Sequence, residues 1–211
     1  MFIPRHPVVE NQFCSYGAVL GGSAGIGGVV AYAGSVVYLN TTATNQEAIV
    51  FKMAHGATET PFGFSMQKVK TGYHQVHPAG FMMPGDLGSS DVIAQATYGA
   101  TGAVTGTKEV PVGVAHLGIW DTVHYTCSGG TGTPTALTPG MLLYASADEA
   151  KLTSSVAASG DDTAATNLAG GFRVLNVTTV CARVVKGASV AKVTANVNNT
   201  TLYPIRVKLL V

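Results

Sequence analysis

Short runs rich in Val and Thr, separated by Gly, Pro, Thr and Asn, set the limits on what this chain can fold into. Good helix formers such as Glu, Lys and Leu are sparse, and 26 of the 211 residues are Gly. Such a sequence supplies turns and side chains that pack on a pleated, half-buried surface. The expected fold class is therefore mainly β. Candidate strands are Gly34 to Leu39, Ala48 to Met53, Gly63 to Val69, Val110 to Leu117, Met141 to Ala145, Phe172 to Val177, Val180 to Val185 and Ile205 to Val211. The last of these, with Pro204 before it, alternates apolar and basic residues, the period of a strand with one buried face.

The stretches most compatible with a helix are the Ala-rich Thr44 to Met53, which overlaps the strand candidate Ala48 to Met53, and a short piece near Ser89 to Gln95 with Asp91 at its start. The small-residue segments Thr97 to Lys108, Ser128 to Pro139 and Ser154 to Thr166 read as long loops. Pro4, Pro7 and the glycines from Gly17 to Gly28 disfavour regular structure, so residues 1–30 read as an extended N-terminal arm that packs on a neighbouring subunit. Its contact candidates are Phe2, Ile3, Arg5, Phe13 and Tyr16. On this reading, removing Met1 to Gly28 leaves the remainder folded.

Residues 31–211 then form the β-rich domain, read as two β-meander halves, 31–96 and 110–211. The halves are suggested by an internal echo. Gly34-Ser35-Val36-Val37-Tyr38 resembles Gly140-Met141-Leu142-Leu143-Tyr144, and each is followed by a Gly-Phe pair, at Gly63-Phe64 and Gly171-Phe172. In a repeat of this kind the leading Gly marks a turn that needs positive φ or close approach.

Charge is scarce. Asp, Glu, Lys and Arg make up 11 % of the residues, against roughly 25 % in ordinary soluble domains. A folded monomer of 21.6 kDa is expected to expose roughly 9,000 Å², so its surface carries few charges for its size. Interface cores are depleted of charge and tolerate small neutral residues, so self-assembly is the expectation from composition. A net charge of +1 gives no basic field for nucleic acid or for an anionic membrane. The apolar stretch Tyr16 to Leu39 is interrupted by Gly and Ser and is a poor membrane helix. The start lacks the apolar segment of a secretory signal, which implies use without Sec export. Cys14, Cys127 and Cys181 form no C-x-x-C and read as buried free thiols, and the sequons at Asn40, Asn176, Asn198 and Asn199 carry no weight without secretion.

No arrangement of residues specifies chemistry. The run Gly21 to Gly28 lacks the Lys-Ser/Thr of a phosphate loop and misses G-x-G-x-x-G at Val30. His74 and His77 have metal-ligand spacing, but Val76 and Pro78 argue against the helix that would align them. Asp121, His124 and a Ser compose a triad only on paper, with no positioning motif. The carboxylates of Glu47, Glu59, Glu109 and Glu149 stand apart from other acids, and Asp161-Asp162 reads as a solvated turn. Catalytic, cofactor and metal residues are accordingly assigned as none. Trp120 and Tyr125, with Ile119, His116 and His124, form the densest aromatic cluster, either a core anchor or an interface hot spot.

A weakly charged, β-rich chain with neutral loops, an extended arm and a terminal sheet strand resembles the capsid decoration proteins of tailed bacteriophages, also called cement or head-stabilisation proteins. The residues that carry the resemblance are Pro139 to Ala145, then Asp148-Glu149, then Lys151 to Thr153, with Gly170 to Val174 and Ile205 to Val211. They cover mainly the C-terminal 75 or so residues. The first half, with insertions at 97–108 and 128–139, is longer than the simplest members. The resemblance implies a β-barrel or β-sandwich, commonly a homotrimer, that binds the major capsid protein on the outer surface of the virion and needs no catalytic residue. The alternatives are a tail-tube or baseplate component, and a carbohydrate- or receptor-binding β-sandwich with Trp120, Tyr125 and Tyr73 as stacking residues.

Overall fold

The computed structural model describes residues 2–5, 11–18, 28–40, 48–53, 59–72, 91–126, 134–146, 149–154 and 180–211. Within them the chain is mainly β. The expected strand at Phe172 to Val177, together with Tyr73, His74, His77, Cys127, Asp161-Asp162 and Gly171, lies outside the described residues.

A closed barrel is built from β2 (Asn11–Tyr16), β4 (Val36–Leu39), β5 (Ile49–Lys52), β6 (Pro61–Ser65) and β10 (Val110–Ala115), in the order β10-β2-β5-β4-β6. Val110, Val112 and Val114 of β10 point inward beside Cys14 and Tyr16 of β2, as the period-2 rule requires. Against the barrel lies a four-stranded sheet of β3 (Val29–Ala31), β7 (Lys68–Gly72), β8 (Asp91–Tyr98) and β9 (Val104–Thr107).

The third layer is a seven-stranded sheet in the order β1-β11-β16-β15-β13-β14-β12. Its strands are β1 (Phe2–Pro4), β11 (Ile119–Thr122), β12 (Tyr125–Thr126), β13 (Leu142–Ala145), β14 (Leu152–Thr153), β15 (Ala182–Lys186) and β16 (Ile205–Leu209). This sheet carries the larger core. Phe2 stacks on Trp120 with ring centroids 4.4 Å apart and on Phe64 at 5.8 Å. Leu143, Leu152, Ile205, Val207 and Leu209 fill the space around them.

Five sequence expectations change. The extended arm at 1–30 is extended where it is described, but it is woven into the chain's own sheets. Phe2–Pro4 pairs antiparallel with β11, and Asn11–Tyr16 bridges β10 and β5. Phe2 and Tyr16 decide this, because both gain more by entering a core than by lying on a surface. The described part of the stretch Ser89 to Gln95, from Asp91 on, is strand β8 and not a short helix, with Val92, Ala94 and Ala96 alternating inward. Pairing with β7 outweighs the helical preference of Ala. The region Thr44 to Met53 holds strand β5 in its described part.

Thr97 to Lys108 is the β8–β9 hairpin turn and strand rather than a loop, with Gly102 at φ +77°. The barrel also takes strands from 11–16 and 110–115 as well as from 36–65, so it is not confined to either half. The echoed glycines do occupy equivalent places: Gly34 at φ +95° and Gly140 at φ +91° each sit just before their strand.

The described residues contain one helix, α1 (Val190–Val197), which the β-branched sequence does not announce. Ser189 precedes it in an extended conformation, and Val193 and Asn196 face inward one turn apart.

Candidate functional site

A cleft of about 380 Å³ opens where the sheets and the helix meet. Tyr32 and Ala33, just after β3, form one wall. Lys68 of β7 and Asp91 of β8 form the next, the segment Val123 to Thr126 lies opposite, and Glu149, Lys151 and the end of α1 with Asn196 and Leu202 complete it.

The turn at Glu149 is held in an unusual shape. Glu149 and Ala150 follow one another in the left-handed region, at φ 53° and 52°, which side chains of L-residues disfavour. Several bonds hold the pair there. The Glu149 carbonyl faces Ser35 Oγ at 3.1 Å and His124 Nε2 at 2.9 Å, and the Ala150 carbonyl accepts from Val36 N–H at 3.0 Å. Lys52 forms an ion pair with the Glu149 carboxylate at the cleft mouth.

The structure brings Ser35 and His124 together, with Oγ and Nε2 3.0 Å apart. The surroundings fix what this pair can do. A carbonyl oxygen 2.9 Å from Nε2 would be repelled by a ring lone pair, so Nε2 carries the proton and donates to Glu149. Burial drives the His124 pKa down to about 4, which keeps the ring neutral. Ser35 Oγ accepts from Tyr32 N–H at 3.2 Å, donates to the Glu149 carbonyl and is fully buried. With the ring proton on that side, Nε2 offers Ser35 no lone pair. The pair therefore acts as a clamp for the turn at Glu149.

Asp121, the third member of the paper triad, points elsewhere. Its carboxylate accepts from Arg5 Nε at 2.6 Å and from Arg206 Nε at 2.8 Å. Burial pushes its pKa up, but the hydrogen bonds and charges of the two guanidiniums outweigh this and hold it below the usual carboxylate value. Asp91 at the cleft is likewise flanked by two lysines, Lys68 at 3.3 Å and Lys70.

The residues assigned to an interface divide cleanly. Phe2, Tyr16, Trp120 and Tyr125 are buried in the chain itself. Trp120 Nε1 donates to Leu117 O at 3.2 Å, and Tyr125 Oη donates to Tyr203 O at 2.8 Å, so even their polar atoms are satisfied internally. Neither ring can serve as a stacking surface for a sugar in this fold. Ile3, Arg5 and Phe13 reach the surface, and Phe13 is 82 % exposed.

Cys14 and Cys181 are buried and lie outside any disulfide among the described residues, and burial raises the Cys181 pKa to about 12. Among the described residues no group of three His, Cys, Asp or Glu side chains could hold a metal ion, and no helix is long and apolar enough to cross a membrane. No family model, curated protein or solved structure matches this chain.

Tyr32, Glu149 and Asn196 have no prominence in the sequence. They lie more than a hundred residues apart at the extremes and become neighbours only through the sheet order. A left-handed pair such as Glu149-Ala150 leaves no compositional trace, since neither residue is Gly or Asn.

Proposed function

We propose that this chain is a non-enzymatic virion structural protein that decorates a phage capsid, docking on the major capsid protein and reinforcing the outer shell. The observation that carries the reading is the outer wall of the barrel. Phe13 stands on β2 opposite Gly113 of β10, which offers no side chain to shield it. The flanking pair on the same face is Ser15 and Pro111, so the cross-strand surroundings of Phe13 on β2 and β10 carry no charge.

Scarcity of charge supports the same reading. The chain exposes 10157 Å² with 12 basic and 11 acidic side chains, about one charge per 440 Å², well below the density of a freely diffusing domain. An exposed Phe on a neutral wall is the composition of an interface core. A clamp of this kind gains stability by burying such a wall across capsid subunits and requires no reacting group.

Light scattering coupled to size-exclusion chromatography over a concentration series tests the proposal, together with cosedimentation on shells of the matching major capsid protein. The expected result is a compact trimer that binds shells, with Phe13→Ser weakening assembly or shell binding at least tenfold while thermal unfolding stays unchanged. Filaments or rings formed without capsid would favour the tail-tube reading. A monomer that ignores shells would overturn both.

A further inference from the structure

We infer that the cleft between Tyr32, Asn196 and Glu149 binds a neutral saccharide unit. Its volume of about 380 Å³ lies at the small end of ordinary ligand sites, roughly 300–1,000 Å³, which suits one or two sugar rings.

The charges on its walls select against ions. Lys68 and Lys151 are matched by Asp91 and Glu149, and Asp91 is already bridged to Lys68 and Lys70, as Glu149 is to Lys52. A charged ligand would compete with these pairs, whereas hydroxyl groups can add hydrogen bonds to them without breaking any.

Beneath the floor lies an unmet acceptor. Asn196 is buried, and its Nδ2 donates to Val123 O at 3.1 Å and faces Tyr125 O at 3.5 Å, while its Oδ1 has no hydrogen-bond partner. The two carbonyls fix the amide's orientation, so Oδ1 cannot exchange places with Nδ2. A buried carbonyl oxygen without a donor is unfavourable, and a hydroxyl could reach this one only if the floor opened, since the atom is sealed from solvent.

The rim presents an apolar surface. Tyr32 is 39 % exposed and is braced by His124, whose ring stacks on it at 5.3 Å. Leu202 is 58 % exposed on another side of the same cleft. One braced aromatic ring, an apolar rim and convergent polar groups match the C–H face and hydroxyl edge of a sugar. The strained Glu149-Ala150 turn holds a carboxylate at this mouth, the kind of place where backbone strain accompanies a binding role. This site is separate from the wall around Phe13 and does not depend on the decoration reading.

The test is titration calorimetry and ligand-observed NMR with glucose, galactose, mannose, N-acetylglucosamine and their common disaccharides, set beside glucuronate and glucosamine. At least one neutral sugar is expected to bind saturably, with Kd of about 1 mM or tighter. Tyr32→Ala should weaken it at least tenfold. Leu202→Arg, at an exposed rim position that leaves the core intact, should do the same with thermal unfolding unchanged. Lack of saturable binding by every neutral sugar would overturn the proposal. So would tighter binding of the charged sugars, or affinity untouched by both substitutions.

Discussion

Arg5 Nε donates to Asp121 Oδ2 at 2.6 Å, a contact that ties the residue after β1 to strand β11 of the seven-stranded sheet, 116 positions away. Arg206 of β16 holds the other carboxylate oxygen at 2.8 Å, so one carboxylate joins three strands side by side. Asp121→Ala is expected to destabilise the fold by about 1–2 kcal/mol, a modest figure because both guanidiniums can turn to water. Arg5→Ala should cost less. Urea unfolding of the two variants checks the order. The Asp121 contribution is complete above its unfolded pKa and is lost as pH falls below it, since the folded value is the lower one.

Phe2 makes the same junction from the apolar side. Its ring lies nearly parallel to Trp120, at 10°, in the largest core. Phe2→Ala is expected to cost about 3–5 kcal/mol, the range for emptying a buried aromatic position. Denaturant midpoints measured beside Phe13→Ala, which should be nearly neutral, give the contrast.

Truncation separates a detachable arm from a structural one. Removing residues 1–28 takes away β1 and also β2, which bridges β10 and β5 and closes the barrel. The expected product is unfolded, with no cooperative thermal transition in circular dichroism. A truncated chain that melts cooperatively would show that the barrel closes without β2.

His124 makes stability depend on pH. Its folded pKa of about 4 lies below the ordinary 6.5, so the unfolded chain takes up the proton first as pH falls. Stability should be constant above about pH 6.5, decline from there to pH 4 by about 3 kcal/mol, and then level off in this contribution. His124→Gln keeps an N–H for the Glu149 carbonyl but cannot titrate. Its denaturation midpoint should start lower and vary less across that window.

The paired glycines provide a controlled comparison. Both have positive φ, but a Cβ on Gly140 meets nothing within 4 Å, whereas one on Gly34 meets Thr122 Oγ1 at 3.0 Å and His124 Cβ at 3.2 Å. Gly140→Ala should cost about 1–2 kcal/mol, the backbone strain alone. Gly34→Ala should cost about 3 kcal/mol, because crowding adds to strain. Thermal melts of both proteins test whether the echo in sequence hides two different packings.

Local features were legible because their causes are local. Alternation of Val, Thr and apolar residues marks β4, β5, β10, β13, β15 and β16, and Gly34 and Gly140 mark turns because only glycine enters that backbone region without strain. Helix α1 escaped notice since Val190, Val193 and Val197 are strand formers by propensity. Only packing of Val193 and Asn196 against the β12 region makes the helix worthwhile. Strand β8 was hidden for the converse reason, its alanines being indifferent until β7 pairs with them.

By itself, then, the sequence determined the β class, the places where the chain must turn and the poverty of surface charge, all of which follow from side-chain shape and composition. Tertiary structure decided the rest. Whether an aromatic residue faces a core or a partner depends on which strands pair, and pairing across 116 positions is a property of the assembled sheets. That is why Trp120 and Tyr125 are sealed inside while Phe13 stands in the open. The cleft owes its existence to the same cause, because Tyr32, Glu149 and Asn196 share no local pattern and meet only once two sheets and a helix have closed around them.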